Sequence, residues 1–249
     1  MSDDVSPPRS RGALVAINLL GLVLVAGFLG LGIWQVQRRA WKLDLITRVE
    51  ARVHAEPGPA PGPSDWPRIG AEADAYRHLR LTGVFEHDRA TLVQALTALG
   101  GGYWVLTPFR SDLGFTVLVN RGFVPADRRD PADWRQPGGT VALTGLLRVS
   151  EPGGGFLRAN DPAAGRWYSR DVAAIAQARG LAEVAPYFID ADAGPDPAQL
   201  PVGGLTVVSF RNEHFVYALT WFALAAMTLG ALAYLDREAL AGGRRGTAG

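Results

Sequence analysis

Two runs of 21 uncharged residues, Ala13–Ile33 and Phe215–Leu235, stand near opposite ends of a 249-residue chain and limit what it can become. At about 1.5 Å per residue, each is long enough to cross a hydrocarbon core of roughly 30 Å. The first run, ALVAINLLGLVLVAGFLGLGI, holds 13 Leu, Ile, Val and Phe residues. Their insertion energies, roughly −0.3 to −0.6 kcal/mol each, outweigh Asn18 and the glycines. The second, FVYALTWFALAAMTLGALAYL, holds eight Leu, Val and Phe residues and more alanine, so a buried helix of a soluble core competes there. Tyr217, Trp221 and Tyr234 favour a span, because amphipathic aromatics settle at membrane interfaces. A cleaved signal peptide competes for the first run. The run exceeds an h-region of about 7–15 residues, however, and the following Leu31-Gly-Ile-Trp-Gln-Val-Gln-Arg38 lacks a small-residue cleavage site.

The expected organisation is a cytoplasmic tail at 1–12, a transmembrane helix at 13–35, a helical extension and Pro/Gly linker at 36–63, a mainly β domain at 64–213, a second transmembrane helix at 214–235 and a cytoplasmic tail at 236–249. Arg237, Arg244 and Arg245 favour a cytoplasmic C-terminus, whereas Arg38, Arg39 and Lys42 outnumber Arg9 and Arg11 on the other side of the first span. A connecting segment this long translocates largely regardless of its charge, so the tail arginines decide and the central domain is expected outside. Asp3 and Asp4 argue against an organellar transit peptide, which avoids acids. The expected location is a bacterial inner membrane, multi-pass, with a periplasmic central domain.

After the first span, apolar and charged residues alternate at helical spacing from Trp34 to Val53, until Glu56-Pro-Gly-Pro-Ala-Pro-Gly-Pro63 breaks the pattern. Strand alternation follows at Arg77–Phe85, Thr91–Leu96, Tyr103–Phe109, Phe115–Val119, Val141–Val149, Tyr187–Ile189 and Leu205–Phe210. The breaks carry turn chemistry in Gly100-Gly-Gly102, Ser111-Asp-Leu-Gly114, Pro137-Gly-Gly139 and Pro152-Gly-Gly-Gly155. One helix is expected at Asp171–Arg179, with Asp171 as N-cap and Gly180 as its stop. The fold class is therefore an α+β membrane protein, two transmembrane helices flanking a mainly antiparallel β domain or small barrel with one helix.

With no cysteine in the chain, disulfides, thiolate metal sites, iron–sulfur clusters and cysteine nucleophiles are excluded. The glycine clusters lack the lysine and following helix of a phosphate loop, and no serine-hydrolase elbow, HExxH or EF-hand pattern occurs. His54, His78 and His87 lack ligand spacing and read as ordinary residues. No catalytic residue is expected, and the protein is not expected to be an enzyme.

His214 differs, because Arg211-Asn-Glu-His-Phe215 stands where the second apolar run begins. Asn212 is placed to cap the helix, whose positive dipole end suits a neutral, metal-binding imidazole. The end of the first span and the start of the second share a membrane face, so Trp34, Gln35, Arg38 and Arg39 lie at the depth of His214. On the first helix Val23, Gly27, Gly30 and Trp34 follow a 4, 3, 4 spacing, and on the second His214, Ala218, Trp221 and Ala225 do the same. Two readings stand: close helix packing, or a flat apolar cofactor edged by aromatics with its acidic groups near Arg38 or Arg39.

Several segments together carry a resemblance: Leu31-Gly-Ile-Trp-Gln-Val-Gln-Arg-Arg-Ala-Trp-Lys42, Thr107-Pro-Phe109, Val119-Asn-Arg-Gly-Phe-Val-Pro125, Thr144-Gly-Leu-Leu-Arg148 and Asn212-Glu-His-Phe-Val-Tyr-Ala-Leu-Thr-Trp-Phe222. The chain resembles the surfeit locus protein one family of cytochrome c oxidase assembly factors, in the family's order, with Arg211 and Glu213 standing where milder polar residues are expected. The resemblance implies a chaperone-like role in oxidase maturation, with heme a handled during insertion into the oxidase catalytic subunit. Further implied partners are the heme a synthase and the lipid bilayer, and no nucleic acid. It associates the position of His214 with heme iron, which makes His214 the expected ligand. By depth, Trp34, Gln35, Arg38, Arg39 and Trp221 complete the expected cofactor-binding set. The alternative is a membrane-anchored scaffold whose sheet domain, through Asn120, Arg121 and Gly122, stabilises an assembly intermediate without a cofactor.

Overall fold

The computed structural model describes residues 11–155, 157–206 and 213–246. Residues 1–10 of the tail expected at 1–12, the capping role of Asn212 and most of the strand expected at Leu205–Phe210 fall outside those residues. The chain divides into two compact units, one containing α1 up to Ile46 together with α4, the other beginning at Thr47 and containing the sheet.

Helix α1 runs over Arg11–Val53 and α4 over His214–Gly246. Within the apolar stretches that would cross a bilayer, only 11% of α1 and 17% of α4 is buried inside the protein. A soluble core helix has no such exposed apolar surface, so both helices are built for an apolar solvent. They pack antiparallel along faces that alternate four- and three-residue steps. On α1 the face is Leu14, Asn18, Gly21, Val25, Phe28, Gly32 and Gln35; on α4 it is His214, Ala218, Trp221, Ala225, Thr228 and Leu232. That 3.5-residue period is the pattern that keeps two helices in contact along a left-handed crossing. Gly21 and Gly32 set how closely the helices approach. A Cβ at Gly21 would lie 2.7 Å from the Leu232 methyls, and one at Gly32 would lie 2.5 Å from the Phe222 ring.

The α4 face is the one its spacing indicated, with Ala218 and Ala225 each 2% exposed. The α1 face is not. Val23 is 68% exposed, Trp34 is 53% exposed, and a Cβ on Gly27 or Gly30 would meet nothing within 4 Å. Glycine recurs on several faces of α1, and the bulk of Leu232 and Phe222 selects the stripe containing Gly21 and Gly32.

In the second unit β1 (Gly58–Pro59) and α2 (Ala71–Asp74) precede β2 (His78–Phe85), β3 (Thr91–Thr97), β4 (Gly100–Ser111), β5 (Thr116–Pro125) and β6 (Val141–Val149); α3 (Val172–Ala178) and β7 (Val184–Ala191) complete it. The sheet order is β1-β2-β6-β7-β5-β4-β3, and β2 also pairs with β4. The second pairing closes β2, β6, β7, β5 and β4 into a five-stranded barrel. Gly83 is the closing corner, pairing with Val141 on one side and Ser111 on the other. A Cβ there would lie 2.1 Å from the Arg110 carbonyl oxygen, so only glycine permits the approach. All barrel pairings are antiparallel except β5–β7. Leu205 and Thr206, the described part of the last expected strand, belong to no strand.

Period-2 alternation fills the barrel: Leu79 and Leu81, Phe109, Val117 and Val119, Leu147, and Ala185, Tyr187 and Ile189 form one buried cluster. Leu118 and Phe188, on the opposite faces of their strands, pack outside against Val172 and Ile175 of α3. Asp171 caps α3 as expected, its carboxylate accepting from the Ala174 amide at 3.1 Å. Gly180 follows with φ 61°, a left-handed stop.

Candidate functional site

His214 is the first residue of α4 and half-buried. Its Nδ1 lies 2.7 Å from Oε1 of Gln35, across the helix pair. With the amide oxygen as acceptor, Nδ1 carries the proton and Nε2 keeps the lone pair that a metal needs. A carbonyl-type partner on the remote ring nitrogen is what orients metal-binding histidines. No group of three or more His, Asp or Glu side chains gathers for a metal ion among the described residues. His214 thus offers one ring nitrogen, Nε2, as a ligand atom.

The other expected site residues are placed unequally. Arg39 sits over the ring of Phe215, beside His214, with its guanidinium carbon 5.4 Å from the centroid. Arg38 lies over Trp41 of its own helix at 4.1 Å. Trp221 stacks on Phe28 at 5.8 Å and 24°, inside the helix pair and about two turns from His214. Trp34 is exposed and off the packing face, so the two tryptophans do not frame a common slot. Ala218, Ala225, Phe222 and Leu232 fill the space between the helices. The structure thus brings together His214, Gln35 and Arg39. Trp34, Arg38 and Trp221 stand apart from that group.

Toward the other end of the pair, Asn18 donates to the Leu14 carbonyl at 3.1 Å and to Asp236 at 2.9 Å. Asn18 is thereby satisfied at a depth where an unpartnered amide is costly.

In the sheet unit Asn120 is 4% exposed, donating to Asp190 at 2.8 Å and accepting from the Gly122 amide at 3.2 Å. Gly122 has φ 131° and lies under the backbone of Val202. Both are internal to the fold and offer no surface to a partner; of the three, Arg121 alone reaches a cavity. His78, which carries no motif, has both ring nitrogens engaged, Nδ1 with the Ala55 carbonyl at 2.9 Å and Nε2 with Asp192 at 2.8 Å. Asp192 is 114 positions away, and local spacing holds no signal for such a pair. Arg121 was more accessible to period-2 reasoning, since it follows Val117 and Val119 on the same strand face.

Residues 22–226, which include the whole His214 group, match the profile of the SURF1 family. The chain is 40% identical to surfeit locus protein 1 of Mus musculus over 227 aligned positions, covering 83% of this chain and 71% of the relative. It is 39% identical to surfeit locus protein 1 of Homo sapiens over 231 positions, 84% and 74% of the two chains. A SURF1-like protein of Monosiga brevicollis is 35% identical over 261 positions, 98% and 95% of the two chains.

Proposed function

Because the chain belongs to the SURF1 family, we propose that it is an assembly factor for heme–copper cytochrome c oxidase, non-enzymatic, whose helix pair receives heme a on its way to the oxidase catalytic subunit. The observation that supports this most is the hydrogen bond between His214 and Gln35, which leaves one imidazole nitrogen ready for a single axial bond. Heme a is cargo in this proposal, and a single protein ligand suits a group that has to be released. Arg39 supplies a cation one residue from the ligand's helix turn, suited to a propionate. The partners proposed are the catalytic subunit and the heme a synthase, and the site proposed for the handover is a bacterial inner membrane with the sheet domain periplasmic.

The test is the absorbance spectrum of the full chain purified from cells that make heme a. Wild type is expected to carry the heme signal and His214→Ala to lose it. Gln35→Leu is expected to weaken heme affinity by roughly 10- to 100-fold, the usual cost of removing a partner of a metal-binding histidine. Wild type purified without heme under these conditions would overturn the heme reading and leave a scaffold that holds an assembly intermediate.

A further inference from the structure

At one mouth of the barrel the inward-facing residues of four strands, Phe85, Arg121, Leu143 and Ala191, surround a cavity of about 190 Å³. The segment after β7 covers it, running through Asp192, Asp196 and Leu200 to Val202. Val202 is fastened to β5 by two backbone hydrogen bonds with Phe123, each 2.9 Å. A barrel mouth under a fastened loop is a common place for a small ligand.

The arginine that lines this mouth is not ion-paired among the described residues. Arg77, Arg89, Arg110, Arg128, Arg148, Arg166 and Arg170 each face a carboxylate. Arg121, half-buried, faces none among the described residues. Its Nη1 donates to Nδ1 of His87 at 3.3 Å, its Nη2 donates to the Arg135 carbonyl, and its guanidinium lies 5.3 Å over the Phe85 ring. None of the three partners is an acid. Burial, and then the charge of Arg135, push the Arg121 guanidinium down to about 10, so the cation is held without compensation. An arginine shielded from water and lacking a counter-charge gains from any anion that reaches it.

The chemistry of that anion follows from the walls. Phe85, Leu143, Leu200 and Pro201 are apolar. Two acids stand on the rim, Asp192, already engaged with His78, and Asp196, which caps the Ala198 amide. They oppose a polyanion and tolerate a single charge. The geometry points to a carboxylate-binding site at this barrel mouth, in which Arg121, assisted by Arg135, receives the head group of a small apolar monocarboxylic acid whose body lies against Phe85, Leu143 and Leu200. The site belongs to the sheet unit and is independent of the role proposed for His214.

The test uses the full chain in lipid nanodiscs with butyrate as probe. Phenylglyoxal modification of Arg121, followed by peptide mass spectrometry, is expected to slow several-fold in saturating butyrate and to be unaffected by butanol. Butyrate binding measured by saturation-transfer NMR is expected to weaken roughly tenfold or more in Arg121→Gln and less in Arg135→Gln, in line with one charged hydrogen-bonding partner. Protection by butanol equal to that by butyrate overturns the proposal. So does an unchanged modification rate, protection by inorganic phosphate in place of butyrate, or unaltered butyrate binding in Arg121→Gln. The modification assay needs no variant, so a misfolded Arg121→Gln does not shelter the idea. A hexanoate arm separates two sources: tighter binding than butyrate assigns the site to a longer acyl acid, weaker binding to a short free acid, and either keeps the carboxylate site.

Discussion

Replacing Asp190 tests whether buried charge holds the outside of the barrel together. Asp190 is 4% exposed, and its carboxylate accepts from four donors. Oδ1 takes Asn120 at 2.8 Å and Arg170 at 3.2 Å; Oδ2 takes Arg148 at 2.7 Å and Thr206 at 2.9 Å. These donors come from β5, β6, the loop before α3 and the segment after β7, so one side chain ties together four separate parts of the domain. Asp190→Ala leaves two largely buried arginines with Glu151 alone, which is 2.6 Å from Arg170 and 3.6 Å from Arg148. Removing one partner of a buried ion pair costs roughly 3–5 kcal/mol, and the retained Glu151 places the loss near the lower figure, about 3 kcal/mol. Asp190→Asn keeps the shape and one acceptor oxygen but turns an amide NH2, itself a donor, toward donors, for a loss of about 2 kcal/mol. At roughly 2–4 °C per kcal/mol for a domain of this size, Asp190→Ala lowers the thermal midpoint by about 6–12 °C. Near-ultraviolet circular dichroism of the full chain in detergent reads the sheet domain. Asp65→Ala, which removes an exposed partner of Arg68, is the control and is expected to change little. A midpoint for Asp190→Ala within about 2 °C of that control refutes the reasoning.

Thr107 is fully buried in β4, and its hydroxyl has no hydrogen-bond partner among the described residues. Thr107→Val is therefore expected to leave denaturant stability unchanged or raise it by up to about 1 kcal/mol, and a clear loss would show that the hydroxyl has a partner. Gly122→Ala places a Cβ 2.2 Å from the Val202 carbonyl oxygen at a φ of 131°. It is expected to cost more than about 2 kcal/mol and to open residues 196–204 to limited proteolysis; wild-type resistance would contradict this. For His78, burial alone lowers the pKa, but the Asp192 and Ala55 hydrogen bonds and the charges of Asp192 and Glu56 outweigh it, and the net shift is upward from 6.5. A raised folded-state pKa stabilises fully below 6.5 and loses that contribution as pH rises through the folded value. The midpoint advantage of wild type over His78→Gln should accordingly be larger at about pH 6 than at about pH 8.5, and a constant difference would show that His78 acts through packing alone.

Much of the fold was legible because it rests on local periodicity. Six strands fall where alternation placed them, and α3 is bounded by the Asp171 cap and the Gly180 stop. The candidate site was legible in part. Depth reasoning set Gln35 and Arg39 near His214, because two helices that begin and end at one membrane face must share that level. It also admitted Trp34, which is at the right depth on the wrong side of the helix. Depth is a one-dimensional constraint, and azimuth requires the packed partner. Nothing local marks the pairing of His78 with Asp192, since a contact across 114 positions depends on which strands become neighbours.

Composition and spacing by themselves determined that two helices would be apolar all round, that the intervening chain would be mainly sheet, and roughly where six of its strands would lie. Those properties are set within a few residues by side-chain transfer energies and backbone preferences. Tertiary structure alone decided that β2 meets β4 to close a barrel, that β5 and β7 run parallel, and that Gly21 and Gly32 mark the face α1 turns to α4. It also decided that Arg121 lines a barrel mouth where, among the described residues, it pairs with neither Asp192 nor Asp196. Each of these depends on close approach between segments far apart in sequence, where steric fit and desolvated charge act only once the backbone has brought them together.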